Sequence, residues 1–260
     1  MAAGWLAWHR IFGWRDIVLL AGFYLPISMG ITIGFHRYLT HRGFRTNALV
    51  KALLLILGSM AIQGSAIDWV ANHRKHHALS DRAGDPHSPA DGFFHAHIGW
   101  LWTNEAADPE LYARDLVADR MVATVSRLFP LWLALGLGLP LLLGGWEGLL
   151  WGGLVRVFLT HHVTWSINSI GHTFGRRPFE TKDRSTNLWI MGLLALGEGW
   201  HNNHHAFPRS AFHGLRWWQV DASGLVIRLL GLLRLAHEIQ RVSRAEIRTR
   251  LERDLASSAV

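Results

Sequence analysis

The chain has 260 residues, a formal net charge of +7, 50% hydrophobic residues and only 17% charged ones. That is too apolar for an ordinary soluble domain and too polar for a pure bundle of spans, so a membrane-embedded part joined to a water-facing part is expected. The absence of cysteine excludes disulfides, thiolate metal sites and cysteine nucleophiles. The basic residues are scattered rather than run together, which favours anionic headgroups or an acidic carrier and argues against nucleic acid.

Residues 1–14 are Trp-rich but end in no small-residue cleavage pattern, so no cleavable signal is expected. Residues 17–35 carry no charge and would span ~28 Å as a helix, about one hydrocarbon core; Pro26 and Gly30 are positioned to kink it. Residues 36–127 read as cytoplasmic. Within them 48–67 is an apolar helix interrupted by Lys51 and Gln63, expected in the interface or packed on the spans, and Asp85-Pro86-His87-Ser88-Pro89 reads as a loop. Residues 128–143 form a second apolar stretch, broken by Gly144-Gly145. A third, 149–170, contains Arg156, His161 and His162, and together 128–170 reads as a helical hairpin that crosses and returns. Residues 171–260 read as cytoplasmic, polar and aromatic to 216 and helical over 225–255, with a charged, solvated end.

Arg37, Arg42, Arg45, Arg74, Lys75 and Arg82 follow the first span, and Arg176, Arg177, Lys182 and Arg184 follow the third. The hairpin tip has no Lys or Arg. Both histidine-rich regions are therefore expected on the cytoplasmic side. Three spans then leave the N-terminus outside, with Arg10 and Arg15 on the unfavoured side. The expected class is an all-α integral membrane helical bundle, a single domain over 1–260, with three clear spans and a cytoplasmic helical cap carrying a metal site.

Four histidine groups stand out: His36 with His41; His73, His76 and His77; Asn168 with His172; and His201, His204 and His205. The i, i+3, i+4 triplet occurs twice, against roughly 0.07 matches expected from composition. Residues three and four apart share a helix face, so each triplet should point its imidazoles one way. His36 and His41, ~140° apart on an ideal helix, should not share a face, so the helix is expected to end near His36. His9, His95, His97, His213 and His237 are expected to be ordinary hydrogen-bonded histidines. Asp85, His87, His162 and Glu198 are candidates to support ligands from behind, as is His161.

Nine imidazoles and an amide exceed what one zinc takes, and fit two metals with four or five ligands each. At the end of membrane helices the abundant substrate is an alkyl chain. Its C–H bonds offer a general base nothing to remove and yield only to an oxidising metal–oxygen species.

The runs GFHRYLTHRGF, NHRKHHALSDRAGDPHSP, TWSINSIGHTFG and GEGWHNNHHAFP resemble the membrane acyl-CoA (stearoyl-type) desaturases over about 30–235. The resemblance implies two irons held by His36, His41, His73, His76, His77, His172, His201, His204 and His205, with Asn168 completing the second iron's shell through water. It implies an O2-dependent desaturase acting near the middle of a saturated acyl chain. Electrons would come from a separate ferredoxin or cytochrome b5 type donor. Acyl-CoA is the expected carrier, with a lipid-bound chain the alternative, because Ala71 and Asn72 stand where animal members have a basic–acidic pair at the CoA head. The family usually has four spans, so either a first span is missing from this chain or its start is misassigned. A histidine-box hydroxylase or alkane monooxygenase is the rival enzyme, and a metal transporter the rival outside enzymes.

Overall fold

The computed structural model describes residues 13–103 and 106–258; the signal reading of the start, His9 and Arg10 fall outside them. Helix α1 (Trp14–Met29) runs without a break into a π-helical segment, Gly30–Thr40. The helix therefore does not stop at His36, as the sequence suggested. It changes its winding: the amide of His41 donates to the carbonyl of His36, an i→i+5 bond of 3.1 Å. The wider turn brings the two rings to 4.8 Å between centroids. π-Helical turns of this kind recur at functional sites.

Helix α2 (Ala48–Ser59) starts at Asn47, whose side chain accepts from Val50 N, and crosses the start of the π-helical segment at backbone contact. A Cβ on Gly30 would lie 2.1 Å from the Gly58 nitrogen, so only glycine fits there. The helix expected over 48–67 breaks after Ser59. Ile62 adopts a φ of 64°, and Ser65 caps a new helix, α3 (Ala66–Leu79), by accepting from Asp68 N. At 12 residues, or ~18 Å, α2 is too short to cross a bilayer.

Short helical turns lead through α4 (Arg120–Arg127) to α5 (Phe129–Gly148), which continues through π-helical Leu149–Val155 into α6 (Arg156–Ser169). Gly145, at φ 60° and ψ −147°, reverses the chain. The arms then pack so closely that a Cβ on Gly148 would meet the Pro140 carbonyl at 2.0 Å. Arg156 is fully buried between them and donates to the carbonyls of Met60, Gly136 and Gly152. Among the described residues two helical runs, Trp14–Thr40 and Phe129–Ser169, are long and apolar enough to cross a membrane. In the second only 11% of the apolar window is buried, the reverse of a soluble core helix.

Past α6 come α7 (Trp189–Leu194), α8 (His201–Ala206), α9 (Ala222–Leu232) and α10 (Arg244–Ser258). The single helix expected over 225–255 is two helices. Between them Arg234 takes a φ of 58°, and β2 (Ala236–His237) pairs antiparallel with β1 (Arg45–Thr46). One apolar cluster joins Ile27, Ile31, Phe35 and Leu39 to Leu55 and Val70; another joins Ile33 and Leu54 to Phe212 and Ile227. The π-helical segment thus lies at the centre, with α2, α3 and α9 packed around it.

Candidate metal centre

Nine of the ten residues singled out as ligands are histidines, and their nitrogens fall into two groups. His36, His41, His73, His77 and His204 form one; His76, His172, His201 and His205 form the other. Within each group one nitrogen per ring lies within 4.8 Å of all the others. The triplets do not point one way, as the spacing suggested. From α3, His73 and His77 enter the first group and His76 the second; from α8, His204 enters the first and His201 with His205 the second. Residues i and i+4 lie ~40° apart on a helix, whereas i+3 and i+4 lie ~100° apart. Each triplet therefore gives a pair to one centre and a single ring to the other, in opposite senses on the two helices.

Facing Nε2 atoms are 3.1 Å apart for His36–His204, 3.0 Å for His204–His77 and 3.1 Å for His77–His73. In the second group they are 2.9 Å apart for His172–His201 and 3.1 Å for His205–His201. The Nε2 atoms of His41 and His76 are buried without a hydrogen-bond partner. Carboxylates hold the opposite nitrogens of four of these histidines. Nδ1 of His36 meets Glu198 at 2.5 Å, His76 meets Asp85 at 3.0 Å, His172 meets Asp81 at 2.9 Å and His205 meets Asp183 at 2.9 Å. A carboxylate on Nδ1 fixes the proton there and leaves a lone pair on Nε2. Nε2 atoms converging from several directions at such distances suit a cation between them. A metal–imidazole bond of ~2.1 Å puts right-angled neighbours about 3.0 Å apart and tetrahedral ones about 3.4 Å apart. The observed separations match the first, so the residues fit metal ions with more than four ligands.

Burial first, and then the neighbouring imidazoles, push His73, His77, His201, His204 and His205 well below the ordinary histidine range. They stay neutral, as ligands must. Burial works against the charge of Glu198, but His213, His36 and Arg37 overcome it and hold the carboxyl well below its usual range. Asp85 and Asp183 are lowered in the same way by their histidine partners. Asp81 reaches His172 from a left-handed turn, φ 58°, and the Asp85 carboxylate braces that turn by accepting from Asp81 N.

Of the other residues singled out, His87 lies beside His76 with ring centroids 4.5 Å apart and the planes tilted by 39°. Asn168 lies on the wall of a cavity beside His201. His162 does not back a ligand; it pairs with His97, whose Nδ1 meets Ser169. His161 bonds the Ala61 carbonyl. His213, expected to be ordinary, is buried with its ring 4.5 Å from His204 and its Nδ1 3.3 Å from Glu198. Arg37, Asp81, Asp183 and Asp221 had not been singled out. Arg37, fully buried, binds Glu198 and Asp221 together. Single acidic residues in loops carry no spacing that would mark them.

The cavity, about 430 Å³, has Tyr24, Ile31, Trp69 and Trp165 on its walls, with His36, His73 and His201 also lining it. That volume is ordinary for a small-ligand site, roughly 300–1,000 Å³. A paired imidazole centre opening on an apolar cavity beside membrane-type helices defines a membrane-associated metalloprotein built to act on an alkyl chain. Residues 6–224 match the sequence profile of the family described as "Fatty acid desaturase", and the chain belongs to that family. Three relatives are similar over most of its length. "Hex-5-enoyl-(acyl-carrier protein) acetylenase" of Moorena producens (strain JHB) is 40% identical, covering 90% of this chain and 80% of that one. "sn-1 stearoyl-lipid 9-desaturase" of Anabaena variabilis is 42% identical, covering 88% and 85%. "Acyl-CoA C20 Delta5-desaturase" of Anemone leveillei is 39% identical, covering 88% and 75%. The chain is a fatty acyl desaturase, an oxidoreductase.

Proposed function

We propose that this desaturase holds two iron ions, one in each histidine group with Asn168 completing the second, and introduces a cis double bond near the middle of a saturated acyl chain. The observation that carries the reading is the interleaving of two imidazole groups beside one apolar cavity. The bound irons would supply the O2-derived oxidising power that an unactivated C–H bond demands. The balance is one CH2–CH2 unit, O2, two electrons and two protons giving one alkene and two waters, so a separate electron donor of ferredoxin or cytochrome b5 type is required. The chain's own part is to position. Glu198, Asp85, Asp81 and Asp183 orient imidazoles, and the largely apolar cavity walls position the alkyl chain beside them.

Acyl-CoA is the carrier to test first. Ala71 is buried and Asn72 accepts from Ala107 N, so neither offers a charge to a CoA head. The relatives differ in carrier, and a lipid-bound chain is the alternative. The first run and the two hairpin arms are read as three crossings, with the histidine-bearing cap on the cytoplasmic face where Lys and Arg gather. The test is expression in a host fed saturated acyl chains, with gas chromatography of the fatty acids. An internal cis alkene is expected; a hydroxylated product without alkene would overturn the reading in favour of a hydroxylase.

A further inference from the structure

A second cavity, about 870 Å³, lies behind the metal centre. Arg176, Arg177 and Arg216 line it together with Trp189, Trp218 and Leu193, and among the described residues no carboxylate does. Its floor is built rather than loose. Arg176 and Asn187 exchange backbone hydrogen bonds of 3.0 and 2.7 Å, and Asn187 pairs in turn with Trp200. Trp200 is buried, donates to the Val220 carbonyl at 2.7 Å and meets the ring of Trp218 edge-on at 5.4 Å. Arg176 and Arg216 therefore stand beside a fixed aromatic wall, while the Arg177 guanidinium donates to the Thr181 carbonyl at 3.3 Å.

The lip of this cavity is apolar and uncovered. On α7 the side chains of Trp189, Ile190, Leu193 and Leu194 are 46–59% exposed, and Trp217 beyond it is 97% exposed. Leu225, Leu229 and Leu232 on α9 are exposed as well. Tyr24, on the long apolar run Trp14–Thr40, donates to the Leu194 carbonyl at 2.9 Å. That bond ties α7 to the flank of the membrane-type helix.

We propose that the cavity binds the phosphate headgroup of an anionic phospholipid, with the acyl chains lying on α7. A phosphodiester matches guanidinium donors in charge and geometry, tryptophans suit the headgroup level, and a lip of uncovered leucines suits alkyl chains and no soluble anion. The wall between this cavity and the substrate cavity is the segment from Leu188 to Trp200, which leads directly into His201. A lipid seated here would brace the backbone that presents the His201, His204 and His205 triplet. The proposal rests on the chain being seated in a membrane, and not on the metal chemistry.

The test is native mass spectrometry of the full chain in detergent, titrated with phosphatidylglycerol and, separately, with phosphatidylcholine. The wild type should retain one phosphatidylglycerol in preference to phosphatidylcholine. That preference should fall about five-fold for each guanidinium removed in Arg176→Gln and Arg216→Gln. Arg114→Gln with Arg120→Gln, at exposed positions elsewhere, should leave it unchanged. Equal binding of the two lipids by the wild type, or an unchanged preference in the double variant, would overturn the proposal. So would displacement of the lipid by inorganic phosphate or by glycerophosphoglycerol, which would mark a pocket for free anions. If the variants lost reduction by an acidic soluble electron donor while keeping the lipid preference, the arginines would belong to a protein partner instead. Metal content and elution volume are read on every sample, so a variant that misfolds, or a chain without desaturase activity, is told apart from one that has lost its lipid.

Discussion

Nδ1 of His36 lies 2.5 Å from one oxygen of Glu198, and the guanidinium of Arg37 lies 2.9 Å from the other. Two adjacent residues on the π-helical segment thus grip one carboxylate from a loop some 160 positions later in the chain. Asp221 holds the far side of Arg37, and His213 closes the fourth side. The arrangement neutralises a buried guanidinium, orients His36 towards the first metal group, and pins the loop that precedes α8.

Glu198→Gln should therefore act on metal retention more than on folding. The amide keeps the shape and one acceptor but gives up the charge that fixes the His36 proton. Changes of this kind typically cost roughly 10–100-fold in metal affinity. Metal analysis after dialysis checks it; full retention would mean that the carboxylate orients nothing. Glu198→Ala should be worse, at about 3–5 kcal/mol of stability, because it breaks a buried ion pair and leaves Arg37 under-compensated.

His204→Ala and His201→Ala each remove a ring from a different group. Each variant should fall from two metal equivalents towards one and lose more activity than the roughly 100-fold that supporting residues cost, while remaining in the membrane fraction. Metal content and product yield by gas chromatography are the readouts. Retained turnover in His204→Ala would remove it from the ligand set.

Stripping the metals with a chelator should lower the melting temperature in detergent, since ligands that bind only the folded state stabilise it, and the converging Nε2 atoms at 2.9–3.1 Å then lose the cation that joins them. Ferrous iron should restore both stability and turnover. Zinc should restore at most stability, having no redox chemistry to offer. A metal-free protein of unchanged stability would contradict the geometry.

Gly30→Ala should disturb the crossing of the π-helical segment and α2, because the new methyl would meet the backbone of Leu57 and Gly58 at 2.1–2.7 Å. Overpacking of this kind costs typically 1–3 kcal/mol or more, read as a lower melting temperature. Gly22→Ala, with nothing within 4 Å of its Cβ, is the matched control and should be neutral or slightly stabilising.

Arg156→Met should unsettle the hairpin, because it orphans the carbonyls of Met60 and Gly136, bonded at 2.9 and 2.7 Å. Each buried group left unsatisfied costs about 1–3 kcal/mol. Arg156→Lys should recover only part of this, since one ammonium cannot reproduce a planar fork. Thermal unfolding of the detergent-solubilised variants separates the two.

Several elements were legible because their causes are local. The uncharged run 17–35 lies inside the long first helix, and the Gly144-Gly145 pair marks the place where the hairpin turns. The sequence misled where winding changed. An ideal helix separates His36 from His41, and only the packing that imposes π-helical turns brings them together. Helix ends at Ser59 and Leu232 were also hidden, because apolar residues continue past both while positive φ angles at Ile62 and Arg234 break the pattern.

By itself the sequence determined the inventory of the centre: nine histidines in spaced groups, no thiolate to compete with them, and apolar runs to seat them beside lipid. Tertiary structure alone decided which metal group each ring serves, which carboxylate stands behind it, and that an anion-seeking cavity lies on the other side of the same wall. Helical spacing fixes the angle between neighbouring rings at 100° per residue. It says nothing of partners such as Asp81 for His172 or Glu198 for His36, 91 and about 160 positions away, which meet only when the whole chain has packed.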